Sequence, residues 1–512
     1  MTGTMSTLVH EAARRFGERV AVTMLGEGGS ATFEQVEERA GRYAGGLARL
    51  GIGRGDRVVL NLPNGIDWMV AYHAIARLGA VVVPANFLLT ASEVAFIAEN
   101  SEAQAIILPG GREAAITATL SEAGVELVRI LHGEGGSGDA TSEHLLDAPW
   151  LAPVDVAPDD LFTIGYTSGT TGRPKGAMQT HRAVFGSTAM TATIHVRHSE
   201  DRILTALPFP HVYGNVVMNT AFLTGLELKV MARFDPGKAL AAIGREKITL
   251  FEGVPSMYYQ MLAHEVMASA EFASLTRCTT GGQTMPVAKI DEVVDRFGCP
   301  LLELWGMTEL SGPATTHSPY WPSRHGSIGL PFPQTEVRIA DLDEPASDAP
   351  AGIAGELCVR GPLVTIGYWK NPEATAASID VDGWLATGDV GVRDEDGYLR
   401  IVDRRKDLII TAGYNIYPAE LEQVVAKHPA VAMVAVAAVA DAEKGELATA
   451  FVVLRPDTAC DAETLSIHCR QHLAAYKVPR AFVFVDDLPK TSTGKILRRA
   501  LRDSYSSHLP RA

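Results

Sequence analysis

Apolar and polar positions follow two rhythms along the first 150 residues. Apolar positions at helical spacing predict helices over 6–16, from 32 to about 50, and over 66–78 and 92–100. Short apolar runs predict strands over 20–24, 57–62, 80–84 and 105–108. Thr32 followed by Gln35 is a capping box, in which a side-chain oxygen and an amide satisfy each other's end of the helix. Runs such as VVVP and AIIL suit strands buried on both faces, and strands alternating with helices of this length build a parallel sheet. The stretch 133–138 (GEGGSG) reads as a surface loop, and the alternation resumes from 161 to about 304. Past Leu330 the texture changes: short strand-like pieces over 336–339, 356–360 and 398–402, spaced by Gly, Asp and Pro, predict a small, largely antiparallel β unit. Beyond Arg404, helices over 418–427, 462–473 and 495–504 and strands over 431–439 and 448–454 predict a compact α+β unit. The expected fold class is therefore α/β. A large N-terminal domain of parallel α/β subdomains and a small β unit (1–403) precedes a small C-terminal α+β domain (404–512).

The 512 residues are too many for one ordinary domain. With 46% hydrophobic and 21% charged residues the chain is globular, which excludes a disordered chain, a collagen and a coiled coil. The formal charge of −15 argues against non-specific binding to nucleic acid or to an anionic membrane, while leaving room for a local anion pocket. No run of 18 apolar residues suggests a membrane span, and the start lacks a basic stretch followed by an apolar one. The five cysteines are scattered, without metal spacing, so the expected location is a reducing cytoplasm.

Four stretches carry chemistry. The densest is Tyr166-Thr167-Ser168-Gly169-Thr170-Thr171-Gly172-Arg173-Pro174-Lys175-Gly176, directly after the apolar run 161–164. Glycines let backbone amides approach an anion, hydroxyls add donors and the lysine adds a charge, so the loop suits polyphosphate. It departs from the Walker pattern, because Gly176 stands where Ser or Thr should follow Lys175. The second is Trp305-Gly306-Met307-Thr308-Glu309, with an aromatic plane, a hydroxyl and a carboxylate after a short strand. The third is Thr387-Gly388-Asp389 with Asp403-Arg404-Arg405-Lys406-Asp407, where a carboxylate at a loop suits two ribose hydroxyls. The fourth is Pro489-Lys490-Thr491-Ser492-Thr493-Gly494-Lys495, where a lysine on a loop suits charge developing on a phosphate. Taken singly, the last three read equally as a capped core tryptophan, a solvated turn and a basic tail.

In order and content the four stretches resemble the adenylate-forming (AMP-forming) superfamily of acyl-CoA synthetases, adenylation domains and luciferases. Leu207-Pro208-Phe209-Pro210-His211-Val212-Tyr213-Gly214, Gly326-Ser327-Ile328-Gly329, Tyr368 with Asn371-Pro372-Glu373, and Thr411-Ala412-Gly413-Tyr414-Asn415-Ile416 extend the likeness over nearly the whole chain. The resemblance implies that ATP and Mg²⁺ activate a carboxylic acid to an acyl-AMP, releasing pyrophosphate, and that the acyl group then passes to a thiol. It implies phosphate contacts from Thr167, Ser168, Gly169, Thr170, Thr171, Gly172 and Lys175. By the same resemblance Trp305 is expected to stack on adenine, where the family usually has tyrosine, with Gly281, Gly282, Gly306 and Met307 alongside. Thr308 would bond the α-phosphate, Glu309 and Thr167 would meet the metal, and Asp389 would take the ribose with help from Arg404. Lys495 would be the adenylation lysine, with Lys490 as runner-up. Gly413 and Tyr414 would border the CoA channel, and Lys406 would be the hinge of a mobile C-terminal domain.

The acyl pocket implied is His211, Tyr213, Gly214, Asn215, Val254, Gly282, Met307 and Leu310, with His211 as gate or wall and with room left by Gly214 and Gly282. No arginine stands among them to pair a second carboxylate, which favours an apolar monocarboxylate. A medium- or long-chain fatty acid is the first expectation, and an aryl or cinnamate-type acid the second. CoA is the expected thiol. The rivals are a ligase that loads a carrier protein, a luciferase-type oxygenase and an AMP-binding sensor without chemistry. A homodimer is compatible with the resemblance.

Overall fold

The computed structural model describes residues 3–133, 137–167, 174–404, 407–411, 414–441, 445–456, 458–491, 496–498 and 500–502. Among the described residues the strands form sheets of seven, nine, four and five. In the seven-stranded sheet Arg57–Leu60, Val81–Pro84, Ala105–Pro109 and Val128–His132 run parallel, as their unbroken apolar runs predict. Val58, Val59, Val82, Val83, Ile106 and Ile107 are all buried there. Helices pack on the sheets through their apolar stripes. The Phe33–Arg49 helix opens on the capping box read from sequence: Thr32 Oγ1 accepts the Gln35 N–H at 3.1 Å, and Gln35 Oε1 accepts the Thr32 N–H at 2.9 Å.

At its edge the seven-stranded sheet turns antiparallel. Leu161–Thr167 pairs with Lys175–Thr180, with Thr167 opposite Lys175. The two strands of this hairpin flank the glycine- and threonine-rich stretch, of which residues 168–173 lie outside the described residues.

The nine-stranded sheet has a parallel centre of Leu301–Met307, Arg277–Gly281, Leu250–Gly253, Arg202–Thr205 and Glu227–Val230. The first strand of the chain, Val20–Met24, joins this sheet, with Val22 opposite Leu228. Gly312–Thr316 closes the other side antiparallel to Leu301–Met307.

The small β unit is an antiparallel sheet of Glu336–Ala340, Gly355–Arg360, Leu385–Arg393 and Leu399–Arg404. This corrects one expectation: Asp389 does not lie on a loop. Thr387-Gly388-Asp389 reads as a turn, yet it lies inside the strand Leu385–Arg393, and Asp389 stands opposite Arg404. Gly388 takes φ +74° within the strand, and the pairing slips between Val390 and Gly391, so turn residues are accommodated by an irregular strand.

The five-stranded sheet of the C-terminal α+β unit is built on the long hairpin Val431–Asp441 and Gly445–Leu454. It packs beneath the helices Pro418–Val425 and Ala462–Arg470 around Leu421, Val425 and Leu465. The helix Val287–Phe297 receives this unit. Lys289 Nζ donates to the Val431 carbonyl at 3.0 Å, Arg455 pairs with Glu292 at 2.7 Å, and the Val287 N–H donates to Gln423 Oε1 at 2.8 Å. Among the described residues no helix is long and apolar enough to cross a membrane.

Candidate active site

Two groups of sequence-selected residues converge on the strand Leu301–Met307 and the turn that follows it. Gly306 makes the crossing with the neighbouring strand possible, since a Cβ there would lie 2.0 Å from the Gly312 carbonyl oxygen. The strand consequently runs on through Trp305, Gly306 and Met307, and the turn Thr308–Leu310 begins where it ends.

The first group faces the small antiparallel sheet. The indole N–H of Trp305 donates to Asp389 Oδ2 at 2.8 Å, and Arg404 Nε lies 3.3 Å from Asp389 Oδ1. Trp305 and Asp389 are buried, while Arg404 remains exposed. A directly opposed acid–base pair across an antiparallel ladder holds the carboxylate at a fixed height.

The second group lies against the hairpin. Gln179 joins its two strands to the turn: Nε2 donates to the Thr308 carbonyl at 2.7 Å, and Oε1 accepts the Thr163 hydroxyl. Thr308 packs so closely that a Cβ on Gly165 would meet its methyl at 2.7 Å. Glu309 is buried, and its Oε1 accepts the Tyr368 hydroxyl at 2.9 Å. Burial first, and the Glu309 carboxylate second, hold the Tyr368 phenol above its usual range, so it stays a donor. The Lys175 ammonium lies 5.2 Å from the centre of the Tyr368 ring. A cavity of about 50 Å³ opens among Thr163, Gly165, Gln179, His211, Asn215 and Thr308.

His211 caps the helix Val212–Thr224, its Nδ1 accepting the Tyr213 N–H at 3.3 Å. The structure corrects the expectation that Gly214 leaves room in an acyl pocket: a Cβ at Gly214 would stand 2.2 Å from the Pro208 carbonyl oxygen, so its size serves close backbone packing. Tyr213 is buried, its hydroxyl 3.1 Å from Glu252 and 2.5 Å from Thr279. Glu252 in turn pairs with Arg197, with both side chains fully buried. Val254 and Leu310 are buried and Met307 half-buried, and Gly282 follows the strand Arg277–Gly281 at φ +87°.

Ser168, Gly169, Thr170, Thr171, Gly172, Lys406, Gly413 and Lys495 lie outside the described residues, as does the side chain of Tyr414, whose backbone belongs to the C-terminal sheet. Lys490 is described. Its ammonium is held by Asp487 at 2.5 and 2.6 Å.

Sequence reasoning missed Gln179, which stands inside an ordinary strand, and the Tyr368–Glu309 bond, which joins residues 59 apart. It missed Glu303 as well. This acid is buried on the strand that carries Trp305, its Oε2 accepting the Gly326 N–H at 2.8 Å. Burial pushes its carboxyl from an ordinary 4.5 to about 8. Between those values the folded chain holds a proton that the unfolded chain has lost, so stability falls as pH rises from about 5 to 8. The full gap corresponds to on the order of 5 kcal/mol. Glu303→Gln keeps an acceptor for Gly326 and removes the titration. Melting curves are expected to show the variant losing less stability than the parent between pH 5 and 8, and parallel losses would contradict this origin.

Comparison with known proteins places these residues in context. The family model of the AMP-binding enzymes matches residues 9–369, and that of the AMP-binding enzyme C-terminal domain matches residues 420–495. A long-chain-fatty-acid–CoA ligase of Bacillus subtilis is 34% identical over 99% of this chain and 95% of its own. A feruloyl-CoA synthase of Amycolatopsis is 37% identical over 94% and 96%. The crystal structure of ATP-bound MatB from Rhodopseudomonas palustris superposes with a TM-score of 0.89 at 29% identity, covering 98% of this chain and 99% of that one.

Proposed function

Since the chain belongs to the AMP-binding enzymes, and within them to the acyl-CoA synthetases that couple an acid to CoA with release of AMP, we propose that it activates a medium- or long-chain fatty acid through the residues gathered at the strand Leu301–Met307. The observation that carries this reading is the convergence there of a nucleoside-sized group, Trp305 with Asp389 and Arg404, and a phosphate-sized group, Thr308 and Glu309 beside Lys175.

In this reading the Trp305 plane meets adenine, and the Asp389 carboxylate, held by the indole N–H and Arg404, takes the ribose hydroxyls. Lys175 and the loop before it hold the β- and γ-phosphates, with the Thr308 hydroxyl on the α-phosphate. The donor set fits Mg²⁺ arriving with ATP: a single buried carboxylate and the Thr167 hydroxyl suit an ion that keeps its waters and the phosphates. Among the described residues no cluster of three His, Cys, Asp or Glu offers a resident metal cage. Glu309 and Thr167 would hold the ion, which when bound neutralises phosphate charge. The acid carboxylate attacks the α-phosphorus and pyrophosphate leaves. Lys495 meets the charge on the transferring phosphoryl oxygens. The CoA sulfur then attacks the acyl carbon and AMP leaves. We assign the second step to a rotated pose of residues 404–512 about Lys406, with Gly413 and Tyr414 along the thiol's path. The contacts of Val287, Lys289 and Glu292 with that unit would belong to one pose only.

The fatty-acid reading is supported by the Bacillus subtilis relative and by the apolar Val254, Met307 and Leu310. A cinnamate-type acid is the second reading, favoured by the polar lining of the cavity at Thr163, Gln179 and Asn215 and by the feruloyl-CoA synthase relative. The test is competition among C2 to C16 fatty acids, benzoate, cinnamates and malonate, with ATP, Mg²⁺ and CoA, read as acyl-CoA by mass. Products are expected to concentrate in the medium and long chains. Neighbouring lengths should differ by no more than about 1–3 kcal/mol per methylene. Predominance of a cinnamoyl-CoA would replace the first reading with the second, and an absence of any acyl-CoA would remove both.

A further inference from the structure

Resting on the reading of Glu309 as the carboxylate that meets Mg²⁺, we infer that Tyr368 is a positioning residue that aims Glu309 at the metal and supports Lys175 at the phosphates with the same side chain.

The ring cannot wander. Tyr368 is 7% exposed. Its backbone is pinned to the exit strand of the hairpin: it bridges to Ala177, the next residue's N–H donates to the Gly176 carbonyl at 2.7 Å, and the Met178 N–H donates to the Gly367 carbonyl at 2.9 Å. On the other side the Thr365 N–H donates to the Glu309 carbonyl at 2.7 Å. The segment 365–369 therefore fastens the hairpin to the turn bearing Glu309, and Tyr368 projects from that fastening.

One end of the side chain meets each charged group. The hydroxyl donates to Glu309 Oε1, and the ring face lies 5.2 Å from the Lys175 ammonium. A carboxylate has two oxygens, and a donor fixed on one of them sets the direction of the other. The ring face attracts the cation without neutralising it.

The test uses the full chain with Tyr368→Phe, Tyr368→Leu and Glu309→Gln. Phenylalanine keeps the ring and its packing and removes only the donor. The Mg²⁺ concentration for half-maximal acid-dependent pyrophosphate release is expected to rise about 10- to 100-fold in Tyr368→Phe, the range found when a group orienting a metal ligand is removed. Calorimetric AMP binding without Mg²⁺ and the melting midpoint should hold. Binding of Mn²⁺ beside a non-hydrolysable ATP analogue, read by electron paramagnetic resonance, should weaken by a similar factor. Tyr368→Leu should add a several-fold loss of ATP affinity at saturating Mg²⁺, as Lys175 loses its support. If Glu309→Gln shifts the Mg²⁺ dependence and Tyr368→Phe leaves it within about twofold, the role of Tyr368 is overturned. If Glu309→Gln itself leaves it unmoved, the metal reading of Glu309 fails instead.

Discussion

Lys495→Ala is expected to slow acid-dependent pyrophosphate release by roughly 10²-fold or more, while thioester formation from supplied acyl-AMP and CoA changes far less. The magnitude is that of removing one preorganised donor aimed at charge developing in a transition state. Lys495 itself lies outside the described residues, and the residues that flank it engage one another: Lys490 bridges to Ile496 and the Leu497 N–H donates to the Pro489 carbonyl at 2.8 Å. Just beyond, Arg498 is clamped by Glu422 at 2.9 Å and lies 3.6 Å from Asp407. The Lys490 ammonium is already engaged by Asp487. Lys490→Ala should therefore cost much less than Lys495→Ala. Equal losses, or a larger one at Lys490, would reverse the assignment.

The second large effect is on stability. Glu252→Leu is expected to destabilise the fold by about 3–5 kcal/mol, the range for removing one partner of a buried ion pair. Arg197 and Glu252 are both fully buried, and Glu252 also accepts the hydroxyls of Tyr213 and Thr279. The leucine would leave the Arg197 guanidinium charged and unpaired beneath the helix Val212–Thr224. Against a total stability of about 5–15 kcal/mol, that is a large fraction. The double variant Arg197→Met/Glu252→Leu should recover much of the loss, because an apolar pair fills the space without a stranded charge. Urea unfolding of the three proteins checks this. A single variant within about 1 kcal/mol of the parent would show that the pair contributes little.

Much of the fold was legible because its signals are local. Strands buried on both faces, such as Val81–Pro84 and Ala105–Pro109, can only be apolar runs, and a capping box needs four consecutive residues. What was not legible depends on distant partners. Val20–Met24 is plainly a strand, but only packing decides that it pairs with Glu227–Val230. Leu385–Arg393 was hidden because Gly388 and Asp389 carry turn chemistry into a strand that its neighbours hold in place. In the candidate site the motifs named Thr308, Glu309, Asp389 and Lys175. Of the groups that orient them, Gln179 left no trace, and Tyr368 showed only as part of a matching stretch without a role, because an interior glutamine and a tyrosine acquire meaning only from what they touch. Gly214 shows the opposite error: a small residue in a motif invites a pocket, while the structure fills that space with the Pro208 backbone.

The proposed reaction activates the acid on the enzyme as an acyl-AMP before any thiol takes part. Isotope exchange between labelled pyrophosphate and ATP, with Mg²⁺ and a fatty acid but no CoA, tests it most directly. Exchange that appears only on adding the acid, and that falls roughly 10²-fold or more in Lys495→Ala, is the predicted result. Acyl-CoA formation without any acid-dependent exchange in the absence of CoA would contradict it.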